Sequence, residues 1–139
     1  MSKIENTTVS LPKGFMRTYQ WIDACFLAQP GTEKEFNPAW KAYKYMLKNK
    51  MYAYIGIQDK TNRPIVTLKL EPLYSDMLRS QYTDIVAGYY MNKVHWSTIY
   101  LDGNVPKEVI TDSISASYHV LFSSLSKKIQ KELSSHNIP

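Results

Sequence analysis

A chain of 139 residues fits one domain and is long enough to bury a core without metals or disulfides. A hydrophobic share of 44% excludes an intrinsically disordered chain, the single cysteine excludes an internal disulfide, and no run approaches the roughly 18 apolar residues of a membrane span. Seventeen Lys and Arg against twelve Asp and Glu leave a formal charge of +5, a modest excess that points toward polyanionic partners without establishing one.

In chain order, residues 1–11 are polar and lack periodicity, and read as a flexible tail ahead of a single domain over 12–139. The start has no apolar signal-peptide core, and with one cysteine a soluble cytoplasmic protein is expected. Phe15, Tyr19, Ile22 and Phe26 step by four, three and four, which places them on one helix face; "QPG" at 29–31 stops that helix. Cys25 beside this stripe is expected to be a small buried hydrophobe. The polar "TEKEFNPAWK" follows as a link. "AYKYML" (42–47) and "MYAYIGI" (51–57) flank "KNK" and predict a hairpin, with Met51, Ala53, Ile55 and Ile57 on one face and Tyr52, Tyr54 and Gly56 on the other. "QDKTNR" then turns the chain into a third strand, "PIVTLKL" (64–70), opened by Pro64 where a missing N–H does least harm.

"EPLYSDMLRSQY" predicts a short helix, from the proline near its start and from Leu73, Met77 and Leu78 at helical spacing. "DIVAGYY" allows a short strand. The next run alternates, with His95, Ser97, Ile99 and Leu101 on one side and Trp96, Thr98, Tyr100 and Asp102 on the other, until "LDGN" turns it. From Pro106 a long helix carries the stripe Ile110, Ile114, Ser117, Tyr118, Leu121 and Leu125, and "SKKIQKELSSHNIP" extends it or adds a final turn. Helices and hairpin strands in this order predict an α+β fold with an antiparallel sheet.

Catalytic patterns do not emerge. There is no HExxH, no CxxC and no glycine-rich phosphate loop, and His95, His119 and His136 stand without a second ligand at helical spacing. Asp102 and Glu108 flank a helix start, where the dipole alone favours acids. A non-catalytic protein with no cofactor and no metal is expected. The functional signal lies in the interleaving of basic and aromatic residues. Lys41, Lys44, Lys48 and Lys50 alternate with Tyr43, Tyr45, Tyr52 and Tyr54 in one hairpin, and the next turn adds Lys60 and Arg63. Lysines on two loop tips would neutralise phosphates while tyrosines stack on bases. The same residues also suit an ordinary sheet, since lysine guards edge strands and fills solvated turns.

With the second half assembled, "FLAQPGTEKEF", "NRPIVTLKLEP" and "YYMNKVHWSTIYLDGNVP" leading into "ISASYHVLFSSL" give the chain its character. In these motifs and their order, from about Trp21 to Lys128, it resembles the MmcQ/YjbR family of small bacterial proteins. The resemblance implies a CyaY-like α+β fold with helices packed on one face of an antiparallel sheet. It also implies DNA binding through a double-wing arrangement of hairpins, a label inferred from shape; fold does not fix function. The frataxin-like iron proteins of similar fold rely on an acidic helix, whereas the first helix here carries only Asp23 as an acid, so iron delivery is disfavoured. Trp96, Ile99 and Leu101 are expected to hold the sheet to its helices, and Asn92, Lys93 and His95, at the strand's entry, to face a partner. Two readings follow. One is a DNA-binding module that grips phosphates weakly and with little sequence preference through Lys41, Lys44, Lys48, Lys50, Lys60, Arg63 and Lys93. The other is an adaptor for a protein or small ligand, using the aromatic sheet face. They separate on whether the lysines share one face or the tyrosines form a concave apolar pocket.

Overall fold

The computed structural model describes residues 11–88 and 91–135; the predicted tail up to residue 10, Tyr89, Tyr90 and His136 lie outside them. Helices α1 (Phe15–Thr18) and α2 (Gln20–Leu27) lead into strands β1 (Glu33–Asn37), β2 (Ala42–Leu47), β3 (Lys50–Ile57) and β4 (Pro64–Lys69). Helix α3 (Pro72–Gln81), strands β5 (Ile85–Ala87) and β6 (Trp96–Tyr100), and helices α4 (Lys107–Ser123) and α5 (Lys127–Ser135) complete the order. The six strands form one antiparallel sheet in the order β1-β2-β3-β4-β6-β5, with the helices on one face, as expected of α+β.

The register separates two sets of side chains. Tyr43, Ile55, Val66, Ile99 and Ile85 lie side by side across the sheet and join Phe15, Ile22, Phe26, Ile110, Ile114 and Leu121 in the main core. The alternate rows, Lys44–Tyr54–Thr67–Thr98–Val86 and Ala42–Gly56–Ile65–Tyr100, face the other way and build a second, smaller cluster of Ala42, Tyr54 and Ile65. By the same parity Trp96 belongs with Thr98 and Tyr100 on that open side. It does not hold the sheet to the helices, as the sequence reading had it.

Several expectations are corrected by packing. The polar link contains β1, an edge strand that buries little and therefore shows no alternation of apolar residues; its charges suit an edge. A bulge between Tyr45 and Met46 shifts the β2–β3 register and breaks the period of two at Tyr52. Tyr52 thus turns onto the helix side, where its ring meets Phe26 and Tyr118, while Tyr54 stays on the open side. Ser117 of α4 donates to the Tyr52 carbonyl at 2.8 Å, giving that buried acceptor a partner where the ladder slips. The first helix is broken at Tyr19 (φ −107°, ψ 26°). Cys25 is half-buried rather than fully enclosed. In α3, Leu73 and Met77 face solvent (84% and 44% exposed), and only Leu78 of that predicted stripe is buried. The helix is fastened instead by polar joints: the Ser97 hydroxyl donates to Ser75, and Arg79 donates to Ser97 Oγ and to the carbonyls of Lys93 and Trp96.

Candidate ligand pocket on the open face of the sheet

The basic residues do not converge. In an antiparallel meander consecutive turns fall at opposite ends of the strands, and β3, eight residues long, separates the β2–β3 tip from the β3–β4 turn by roughly 25 Å at about 3.3 Å per residue. Lys48 and Lys50 therefore sit at one end, and Lys41, Lys60 and Arg63 at the other. Acids occupy the ground between. Lys44 pairs with Glu35 at 3.1 Å. Arg63 is held by Asp102 at 2.8 Å and Asp84 at 3.5 Å, and its guanidinium lies 3.9 Å from the centre of the Tyr100 ring. The Asp102 hydrogen bond, ahead of Asp84, pushes Arg63 above the usual arginine value.

The tyrosines divide as well. Tyr45 is fully buried, stacked on Phe26 at 3.9 Å with its hydroxyl donating to Asp23 at 2.6 Å; burial pushes that phenol well up. Tyr52 is equally enclosed, and its hydroxyl shares a hydrogen bond with Thr32. Neither ring can reach a base without opening the core, which corrects their predicted stacking role. Tyr43 is half-buried against the main core, with Phe36 and Lys34 on its ring. Asn92, Lys93 and His95 sit in the β5–β6 connection. Asn92 caps it, its side-chain oxygen accepting from the Val94 N–H and its carbonyl from those of His95 and Trp96. Lys93 and His95 are exposed.

Tyr54 is where the aromatic residues open a space. Its ring stands 5.3 Å from Trp40, tilted by 54°, and together with Ile65, Met91, Gln58 and Asp59 it lines a cavity of about 320 Å³. That volume lies at the low end of the range for small-ligand sites. The turn that carries Trp40 is set by Asn37, whose side-chain oxygen accepts from the N–H groups of Ala39 and Trp40. Lys41 follows at φ 51°, and its carbonyl occupies the place a side chain at Gly56 would need.

Gln58 is the most constrained polar group in the wall, only 6% exposed. Its amide oxygen accepts from the Thr61 hydroxyl at 2.5 Å and the Tyr100 hydroxyl at 2.9 Å. Among the described residues its amide nitrogen has no acceptor, and no fully buried side-chain N or O lacks a partner, so the nitrogen keeps some exposure on a residue that lines the cavity. A relay fixes it there: Asp84 and Asp102 hold Arg63, Arg63 stacks on Tyr100, and Tyr100 orients Gln58. Asp59, next along, also lines the cavity, is exposed, and makes no side-chain hydrogen bond or ion pair among the described residues. Sequence reading passed over Gln58, Asp59 and Met91 as turn and loop residues. The usable signal was parity, since 54, 56 and 58 continue one face of β3.

The motifs of "NRP" and "LDG" are thus one joint, and "QPG" and "SY" are another, for the Tyr118 hydroxyl donates to the Pro30 carbonyl at 2.7 Å. The YjbR family model matches residues 27–120, the stretch that contains both joints. The chain belongs to the YjbR family. It is 35% identical to "uncharacterized protein YjbR" of Escherichia coli K12 over 107 residues, covering 77% of this chain and 89% of that one. It is 31% identical to "uncharacterized protein YyaQ" of Bacillus subtilis over 80 residues, covering 58% and 67%. The crystal structure of Deinococcus radiodurans protein DR2400, with domain DUF419, aligns at a TM-score of 0.74 and 28% identity, covering 84% and 87%. Within this YjbR chain no helix among the described residues is long and apolar enough to cross a membrane, and none of their His, Cys, Asp and Glu side chains group to hold a metal ion.

Proposed function

We propose that this YjbR protein is a non-catalytic binding module whose ligand seat is the open-face pocket between Trp40, Tyr54 and Met91. The observation that carries the reading is the cavity itself, about 320 Å³ and walled by Trp40, Tyr54, Ile65 and Met91, with the buried Gln58 amide held in its lining by hydrogen bonds from Thr61 and Tyr100. A site of that kind supplies contact area from its rings and orientation from a few fixed polar groups. Nothing in it has the arrangement of a nucleophile beside a base.

The DNA-binding reading that the resemblance implies retains one supporting feature. Lys48, Lys50 and Lys93 lie toward the same end of the strands, and none has a carboxylate within ion-pair distance among the described residues. Three contacts give a log–log salt slope no steeper than about −3 on duplex DNA.

Two titrations test the choice. A panel of small aromatic compounds followed by tryptophan fluorescence and thermal shift should give saturable binding that Trp40→Ala weakens by about tenfold or more. Fluorescence anisotropy with duplex DNA should show weak binding with the shallow slope. A slope of −4 to −5 with no response to any aromatic compound would overturn the pocket reading.

A further inference from the structure

The last helix is joined to the body by a bend that its sequence does not require. We infer that α5 exchanges between two copies of this chain: α4 and α5 straighten into one helix, and the Leu133 of each copy fills the notch at Gly31 of the other. This contact lies on the helix side of the sheet, apart from the open-face pocket.

From Lys107 to Ser135 the chain holds no glycine and no proline, so nothing in its backbone forbids an unbroken helix. It is nevertheless interrupted over 124–126, between α4 and α5. The departure is slight. Ser124 keeps helical angles, φ −82° and ψ −11°, and the N–H groups of Ser124 and Leu125 donate to the carbonyls of Leu121 and Phe122, three residues back, as in a tightened last turn. Polar side chains hold the bend. The Ser126 hydroxyl accepts from the Ile129 N–H at 3.2 Å as an N-cap, and the Gln130 amide donates to the Leu125 carbonyl at 2.9 Å. A straight helix gives up these two joints and regains the backbone bonds missing at the bend, an exchange of like for like.

What seats α5 on the body is apolar. Leu133 is only 4% exposed, and its Cδ2 lies where a side chain on Gly31 would begin; Leu47 Cδ1 comes within 3.1 Å of the same point. Gly31 stands at φ 79°, a left-handed backbone that favours glycine and keeps the notch open. Ile129 packs beside it, half-buried. Among the described residues no ion pair reaches α5, and its hydrogen bonds reach no further back than Ser123. A nine-residue helix has little stability alone, and this one is held by one leucine and part of an isoleucine. It therefore opens at lower cost than the core it covers. The vacated notch fits an amphipathic helix with this leucine. A second copy brings that same helix and restores every contact of the seat, which makes exchange a low-cost route to a dimer.

Light scattering on the full chain, from about 10 µM to about 1 mM, reads the exchange, because a helix tethered in its own chain competes at an effective concentration near the millimolar range. The unaltered chain should be monomeric at the low end and partly dimeric at the high end. Ser126→Ala removes the cap that holds the bend. It should favour the straight form about fivefold at each hinge, and so tighten the two-hinged dimer about 25-fold. Lys127→Pro acts the other way. Proline suits the first turn of α5 in the bent form, but in a straight helix it deletes the bond to the Ser123 carbonyl and collides with it, weakening the dimer at least about a hundredfold. Leu133→Asp, added to Ser126→Ala, removes the plug and should leave monomer alone. Dimerisation that ignores Lys127→Pro, or that persists with Leu133→Asp, would overturn the exchange. So would an unaltered chain and a Ser126→Ala variant that both stay monomeric up to about 1 mM. Should the Leu133→Asp chain fail to fold, Lys127→Pro decides alone, since it alters an exposed position that the bent form accepts. Neither hinge variant should change the binding of ring compounds, so failure of the exchange leaves the open-face pocket standing.

Discussion

The two faces of the sheet use the same residue types for opposite ends. On the helix side, Tyr45, Tyr52 and Tyr118 have every hydroxyl engaged, by Asp23, Thr32 and the Pro30 carbonyl, and their rings close against Phe26 and one another. On the open side, Trp40 and Tyr54 meet at 5.3 Å, tilted by 54°, beside a cavity of about 320 Å³ that the side chains leave unfilled and that Gln58 also lines. Aromatic density alone therefore says little about function. What separates scaffold from site is whether packing and hydrogen bonding are complete, because a filled face has nothing left to offer a ligand.

The sharpest way to break that contrast is to delete one ring from each face. Phe26→Ala should cost about 3–5 kcal/mol, since it empties the stack with Tyr45 at a fully buried position. Trp40→Ala, at a half-open rim, should cost less than about 1 kcal/mol while weakening ring binding about tenfold or more. Urea midpoints of the two variants check this. Similar losses would mean that the open face is as much core as the other.

Alkali probes the same division through ionisation. Burial, reinforced at Tyr45 by the Asp23 hydrogen bond and charge, pushes the phenols of Tyr45 and Tyr52 well above the ordinary tyrosine value. The folded state thus favours the neutral phenol, and its advantage is complete below the unfolded value near 10. As pH rises beyond that, the unfolded chain ionises first, and stability should fall by roughly 1.4 kcal/mol per pH unit for each such tyrosine. Denaturation midpoints at pH 8, 10 and 11 should show a plateau and then a decline, and Tyr52→Phe should make the decline shallower by one tyrosine's share.

How far these assignments could be read in advance follows from which signals are local. The β2–β3 hairpin, β4, β6 and the long α4 were legible because alternation or the helical stripe survives in "AYKYML", "PIVTLKL", "HWSTIYL" and Ile110–Leu121. Strand β1 was hidden because its order comes from pairing with β2 and not from burial of its own side chains. The face of Tyr52 was hidden because a bulge changes parity without changing composition. The supposed neighbouring basic tips failed on topology already implied by a meander. Gln58 was missed for a different reason: its role depends on Tyr100, forty-two positions away, and on Arg63, which only the closed sheet brings beside it.

The smallest expected effect isolates the basic tip from the pocket. Lys48 and Asn49 both adopt left-handed backbone, φ 51° and 66°, as a two-residue type I′ hairpin turn demands. Lysine tolerates that conformation less well than asparagine, whose short amide can bond locally. Lys48→Asn should therefore raise stability by about 0.5 kcal/mol, visible as a small gain in urea midpoint. The substitution also removes one positive charge roughly 25 Å from the cavity, a distance at which a surface charge is largely screened at physiological salt. If the open-face pocket is the site, affinity for ring compounds stays unchanged. If phosphate contacts at the tip matter instead, the salt slope on duplex DNA becomes shallower by about one unit while the fold grows slightly more stable. Binding that weakens as stability rises would place function at the β2–β3 tip, because no loss of structure could explain it.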